Sequence, residues 1–194
     1  MKTNLSKISK QKNLLIGGII ILLAVSMAIF APWISYFDPI TDADLMNSEL
    51  PPDATYIFGT DPQGRDVFSR VVYGARVSLS VGIVTQVLNT IIGVSLGLVA
   101  GYMGRRWDDS IMGLTNIMLS IPVVVFALAI MAALGPGLFN IYLALGLTNW
   151  AYSCRVTRAQ VLSAKNSDYV KAAKVLGYSH ASIMFTQILP NVLG

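Results

Sequence analysis

Charged residues are scarce in this chain: 12% of 194 residues, while 54% are hydrophobic. An average soluble domain carries about 25% charge, so the deficit points away from a soluble enzyme. Cys154 is the only cysteine, which excludes an intramolecular disulfide framework and a cysteine-rich metal site. His180 is the only histidine, and a lone histidine cannot build a zinc or nickel centre. No G-x-x-x-x-G-K-[S/T] phosphate loop occurs, so no motif for ATP hydrolysis is present. No cofactor motif, internal repeat or low-complexity tract is evident. The net charge of +4 could suggest a nucleic-acid partner, but the basic residues flank apolar runs instead of forming a stripe. That pattern is one of membrane topology, with lipid as the surrounding partner.

Four apolar stretches account for the missing charge. Residues 14–31 form an uninterrupted run close to the ~20 residues a tilted helix needs to cross a bilayer. A secretory signal peptide shares the basic start and apolar core. This run is longer than a typical signal core, however, and Ala31-Pro32-Trp33 would put a proline at the cut, so an uncleaved anchor is expected. The second span, 77–102, is broken only by Gln86, Asn89 and Thr90. These should face protein, because lipid offers no hydrogen-bond partner. Gly82, Gly93 and Gly97 should let a neighbouring helix approach closely. The third span, 111–134, carries Pro122, a kink site. Gly135-Pro136-Gly137 then turns the chain into a shorter fourth span, 138–153.

The basic residues orient these spans. With the N-terminus inside, Lys2, Lys7, Lys10, Lys12, Arg105, Arg106, Arg155, Arg158, Lys165, Lys171 and Lys174 fall on the cytosolic side, 11 of the 14. Arg65, Arg70 and Arg76 remain outside, as the positive-inside rule requires. The loop 154–190 is then cytosolic.

That loop reads as helix, glycine bend, helix. Val170, Ala173 and Leu176 recur at helical spacing within 163–176, with Lys171 and Lys174 on another face. Gly177 fits a left-handed C-cap, and Ser179 caps a second short helix expected to end at Pro190. In the outer loop, Asp61 followed by Pro62 and Gly64 is a turn. Arg65, Asp66 and Arg70 should begin a short helix at the membrane surface.

Two strings carry a family resemblance. Ala172 and Ala173, then Gly177 and Leu189-Pro190, resemble the "EAA" loop of bacterial ABC importer permeases, which docks in the ATPase subunit. Gly59-Thr60-Asp61, Gly64, Arg65 and Asp66, with Ala31-Pro32-Trp33 and Asp38-Pro39, resemble the entry region of the C-type subunit of the dipeptide/oligopeptide/nickel permease family. Departures exist. Tyr56 replaces a common histidine, and Lys171 stands at the "EAA" acid. Gln187 replaces an aliphatic residue, while Gly113 and Asn116 replace an Arg and an Asp of the third span. Losing that pair together avoids leaving one charge unpaired in the membrane.

The resemblance implies an all-α integral membrane protein with the transmembrane fold of type-I ABC importers. Residues 1–76 would hold the tail, first span and outer loop, and 77–194 an incomplete permease domain. It implies an importer of peptides, or of nickel or a metal chelate, working by alternating access in the bacterial cytoplasmic membrane. The implied partners are a second permease subunit, ATPase subunits that hydrolyse the ATP, and an external solute-binding protein. Family members continue after Leu-Pro with two more spans, so a chain ending at Gly194 is expected to be truncated. The second reading is a non-transporting membrane fragment or assembly partner. The coding DNA beyond residue 194 would separate the two.

Overall fold

A computed structural model describes residues 12–192; Lys2, Lys7 and Lys10 of the basic tail and the terminal Gly194 lie outside them. The described chain is helical, with one isolated β-bridge between Thr60 and Asp66. It divides into two compact units, with the boundary between Gly82 and Ile83.

The first unit opens with α1, Lys12–Ile34, 23 residues. It is apolar on every face, as expected of a helix solvated by lipid; Ala28 and Ala31 are its buried residues. After a non-helical stretch containing a 3₁₀ turn at Leu45–Asn47, α2 runs over Val67–Met103. The surface helix expected before the second span is therefore not separate: it is the first part of α2. At 37 residues α2 is about 55 Å long, well beyond the ~30 Å hydrocarbon core. An apolar groove of about 530 Å³ lies between α1 and the start of α2, lined by Leu23, Met27, Phe30, Trp33, Phe68 and Val72.

In the second unit the expected third span is two helices, α3 (Arg105–Ser120) and α4 (Val123–Leu134), meeting at 88°. Pro122 lacks an N–H and forces Ile121 out of the helical region, to ψ 126°. The kink is thus a near right angle. The fourth span also departs from expectation. It is α5 (Leu138–Gly146), a break at 147–149, then α6 (Trp150–Ala164). By length and composition, among the described residues, α1 and α2 can cross a membrane, and a third crossing arises if α3 and α4 count as one. The four expected spans are not seen among the described residues.

Asn89 explains how the break at 147–149 is tolerated. Its Nδ2 donates to Leu145 O (3.4 Å) and its Oδ1 accepts from Asn149 N (3.2 Å), while Thr148 Oγ1 donates to Leu145 O (2.8 Å). Backbone freed from a helix must be satisfied inside a membrane protein. Asn89 is 3% exposed and faces protein as expected. Gln86 and Thr90 are exposed within this chain and hydrogen-bond each other (3.3 Å).

A glycine ladder fixes α2 against α6. A Cβ on Gly93 would lie 2.5 Å from Ser153 Cβ, one on Gly97 2.6 Å from Cys154 O, and one on Gly101 2.8 Å from Val161 Cβ. Helix backbones meet directly at such small residues. A Cβ on Gly82, expected to share this role, would meet nothing within 4 Å. Asp108 of α3 and Arg158 of α6 add a bidentate pair, with Arg158 Nη2 2.6 Å from Asp108 Oδ2.

Candidate functional site

The residues singled out by sequence fall into two constellations, one in each unit. In the first, the Asp61 carboxylate is a hub. Its Oδ1 accepts from Gln63 N (2.8 Å) and Arg65 N (3.0 Å), and its Oδ2 from Arg65 Nε (2.9 Å) and from Arg70. Burial, the largest single influence, pushes its pKa up. The backbone N–H and guanidinium of Arg65 and the N–H of Gln63 outweigh it together and hold the carboxyl at about 2. A carboxylate saturated in this way has no free lone pair with which to act as a base.

Around this hub the string 59–66 clamps the segment 44–50. Thr60 Oγ1 accepts from Leu50 N (2.8 Å) and donates to Asn47 O, and Thr60 N donates to Leu50 O (3.1 Å). Gly59 and Gly64 have φ of +72° and +71°; a Cβ at the first would lie 2.4 Å from Leu50 O and at the second 1.7 Å from Asp44 O. No other residue fits either position. Asp66 caps α2, its Oδ2 accepting from Ser69 N (2.7 Å) and Ser69 Oγ (2.5 Å). Its Oδ1 is buried without a partner among the described residues. Tyr56 stacks on Phe37 with ring centroids 5.2 Å apart, so the departure at 56 is a packed aromatic pair.

The second constellation follows α6. The helix expected from Ser163 is divided: α6 ends at Ala164, and α7 spans Asp168–Val175. Gly177 has φ +79°, as expected of a C-cap. Tyr178 N donates to Ala173 O (3.1 Å) and Gly177 N to Lys174 O (3.1 Å), the paired bonds of a Schellman turn. The chain resumes at α8 (His180–Ser182), where Ser179 Oγ accepts from Ser182 N (3.2 Å). It widens into a π-helical turn over Ile183–Ile188 and ends as α9 (Leu189–Val192).

Pro190 therefore does not stop the helix. Leu189 N bonds to Met184 O, five residues back, and the wider turn accommodates a proline whose ring would clash with the carbonyl four residues earlier. Sequence reasoning missed this turn; an apolar run entering a proline was the available signal.

Val170, Ala173, Ile183, Met184 and Ile188 pack with Val161 of α6 and with Leu98 and Tyr102 of α2, and Leu189 lies against that core. Ala172 and Pro190 are exposed. So are Val175 (88%), Leu176 (74%) and Tyr178 (49%), which flank Gly177. Three apolar side chains are presented at one bend, whereas the faces behind them are buried. Among the described residues no group of three or more His, Cys, Asp or Glu could hold a metal ion.

Comparison with known proteins gives two family matches, which cover the second constellation but not residues 59–70 of the first. Residues 93–194 match the family described as "Binding-protein-dependent transport system inner membrane component". Residues 4–52 match the "N-terminal TM domain of oligopeptide transport permease C". The chain is 38% identical, over all of its length, to 63% of the "Oligopeptide transport system permease protein OppC" of Bacillus subtilis. It is 38% identical over 97% of its length to 58% of the "Dipeptide transport system permease protein DppC" of the same organism. It is 42% identical over 91% of its length to 59% of the "Probable D,D-dipeptide transport system permease protein DdpC" of Escherichia coli. The chain thus spans about three fifths of the length of these curated relatives. With 93–194 alone covering more than half of its 194 residues, the chain belongs to the family of binding-protein-dependent transport system inner membrane components, the membrane subunits of ABC importers.

Proposed function

We propose that this chain is a permease subunit of an ABC importer that carries peptides across the cytoplasmic membrane, with its N-terminus in the cytosol. The observation that carries the reading is the bend at Gly177, which presents Val175, Leu176 and Tyr178 to a partner from a buried base. An apolar patch held on a rigid support marks a protein or membrane interaction site. The resemblance of 168–191 to the "EAA" loop supports an ATPase subunit as that partner. Gly177 sets the bend, Ala173 and Leu189 seat the two helices on the core, and Ala172 and Pro190 lie on the exposed side. The printed names of the relatives support peptides; nickel and metal chelates draw no support from them.

In this reading 1–76 and 77–194 are the two functional regions. The Asp61 clasp shapes the outer entry, where a solute-binding protein delivers its load. A second permease subunit completes the path. Gln86 and Thr90, polar groups exposed on the membrane-crossing part of α2, belong on the side of that helix facing that path or that subunit. ATP closes the ATPase pair, the loop is displaced, the spans open outward, and hydrolysis resets them by alternating access. The test is ATP-dependent accumulation of a labelled oligopeptide in proteoliposomes. These would hold the full-length permease, its partner permease, the ATPase subunits and the binding protein. Uptake that needs every component is expected; peptide uptake unchanged when this subunit is omitted would overturn the reading.

A further inference from the structure

We infer that Tyr102 is a positioning residue, the point at which α2 is gripped by the loop that follows α6 and made to move with it. The inference rests on the coupling role proposed above. Tyr102 lies in the last turn of α2 yet is only 4% exposed. Its hydroxyl is 3.1 Å from His180 Nδ1, and the two rings meet edge to face with centroids 5.7 Å apart. Lys165 Nζ stands 5.8 Å and Lys174 Nζ 5.7 Å from the centre of the tyrosine ring, within the ~6 Å reach of a cation–π contact.

What matters is where these three partners come from. Lys165 is the C-cap of α6, Lys174 lies in the last turn of α7, and His180 opens α8. One side chain of α2 is therefore contacted by all three consecutive helical pieces, two of which flank the Gly177 bend. Apolar packing beneath it, through Leu98, Val161 and Val170, holds the pieces together but is not directional. The ring is directional. An edge-to-face pair and a hydrogen bond both fix an angle, so rotating α7 against α8 must carry Lys174 or His180 off the ring unless α2 follows. A push at the bend thus reaches the long helix by a route other than the covalent path through α6.

The experiment uses the full-length permease assembled with its partners in proteoliposomes. For each variant, peptide moved, ATP hydrolysed and ATPase subunits co-purified are measured. Tyr102→Leu should keep its ATPase subunits and go on hydrolysing ATP, while peptide moved per ATP falls about fivefold or more, the scale of a coupling free energy. Tyr102→Phe should recover most of this, since the ring and both lysine contacts survive. His180 is exposed, so His180→Ala tests the other end of the contact without disturbing the core. Its loss should be at least that of Tyr102→Phe, because the edge-to-face ring contact goes with the hydrogen bond, and the double variant should be no worse than His180→Ala alone. Normal peptide per ATP in Tyr102→Leu, or additive losses in the double variant, would overturn the inference. Should Tyr102→Leu shed its ATPase subunits, the cycle between Tyr102→Phe and His180→Ala decides alone. Normal uptake in Gly177→Val would sink the coupling reading together with this one, whereas a loss there beside an unaffected Tyr102→Leu sinks this one only.

Discussion

Replacing Gly177 separates a backbone requirement from a packing one. Its φ is +79°, and a Cβ built there meets nothing within 4 Å. The penalty for another residue is therefore conformational alone. A left-handed conformation costs an L-residue roughly 1–2 kcal/mol, enough to shift the balance against the bent form by about fivefold to thirtyfold. The core formed by Val170, Ala173, Ile183, Met184 and Ile188 is independent of that residue and resists the shift, so Gly177→Ala should weaken uptake without abolishing it. Gly177→Val is worse, because a β-branched residue is a marked outlier at positive φ. Gly177→Asn should be the mildest of the three, since asparagine visits this region readily. Uptake and ATPase co-purification at matched abundance would rank them Asn, Ala, Val. A Val variant transporting as well as the parent, or Asn as damaging as Val, would refute the reasoning.

Three further outcomes are expected. Gly97→Ala puts a Cβ 2.6 Å from Cys154 O and should cost about 1–3 kcal/mol by overpacking; a lowered unfolding temperature in detergent would show it, with Gly82→Ala, which meets nothing within 4 Å, as the neutral control. The Asp61 carboxyl sits near 2 in the fold against an ordinary 3.8. Its contribution is thus fully present above pH 3.8 and is lost as pH falls through 2. Protease cutting in 44–60 should rise across that window in the parent, and Asp61→Asn should remove the pH dependence. For topology, a membrane-impermeant thiol reagent on intact cells should label Asp44→Cys and spare Lys165→Cys. The native Cys154, with 0% exposure, stays silent, so labelling at 165 would reverse the orientation.

Local chemistry was legible from the residues, and distant pairing was not. The left-handed turn at Gly177 and the helix start after Ser179 follow from rules spanning a few residues. Pro122 marked where the third span would bend, but the 88° angle depends on what α3 packs against. Asn89 was expected to face protein, yet its role in bridging the break at 147–149 needs residues nearly sixty positions away. Gln86 and Thr90 look like Asn89 in sequence and point elsewhere. Asp108 and Arg158, which join α3 to α6, gave no signal at all, because two charges so far apart in a chain name no partner. Gly101 continued the spacing of Gly93 and Gly97, and that four-residue repeat was the overlooked signal. In the 59–66 string the family resemblance singled out Gly59, Thr60, Asp61, Gly64, Arg65 and Asp66. Their common purpose, a clasp on segment 44–50, became visible only once Asp44 and Leu50 were placed against Gly64 and Gly59.

The most direct test of the account is a photo-crosslinking residue at Leu176, the exposed apolar position beside the bend, in the full-length permease in native membranes. The account predicts a covalent adduct with an ATP-binding subunit, in a yield that changes when ATP is trapped in the closed state. Crosslinks to lipid alone, with no ATPase adduct in either nucleotide state, would contradict it.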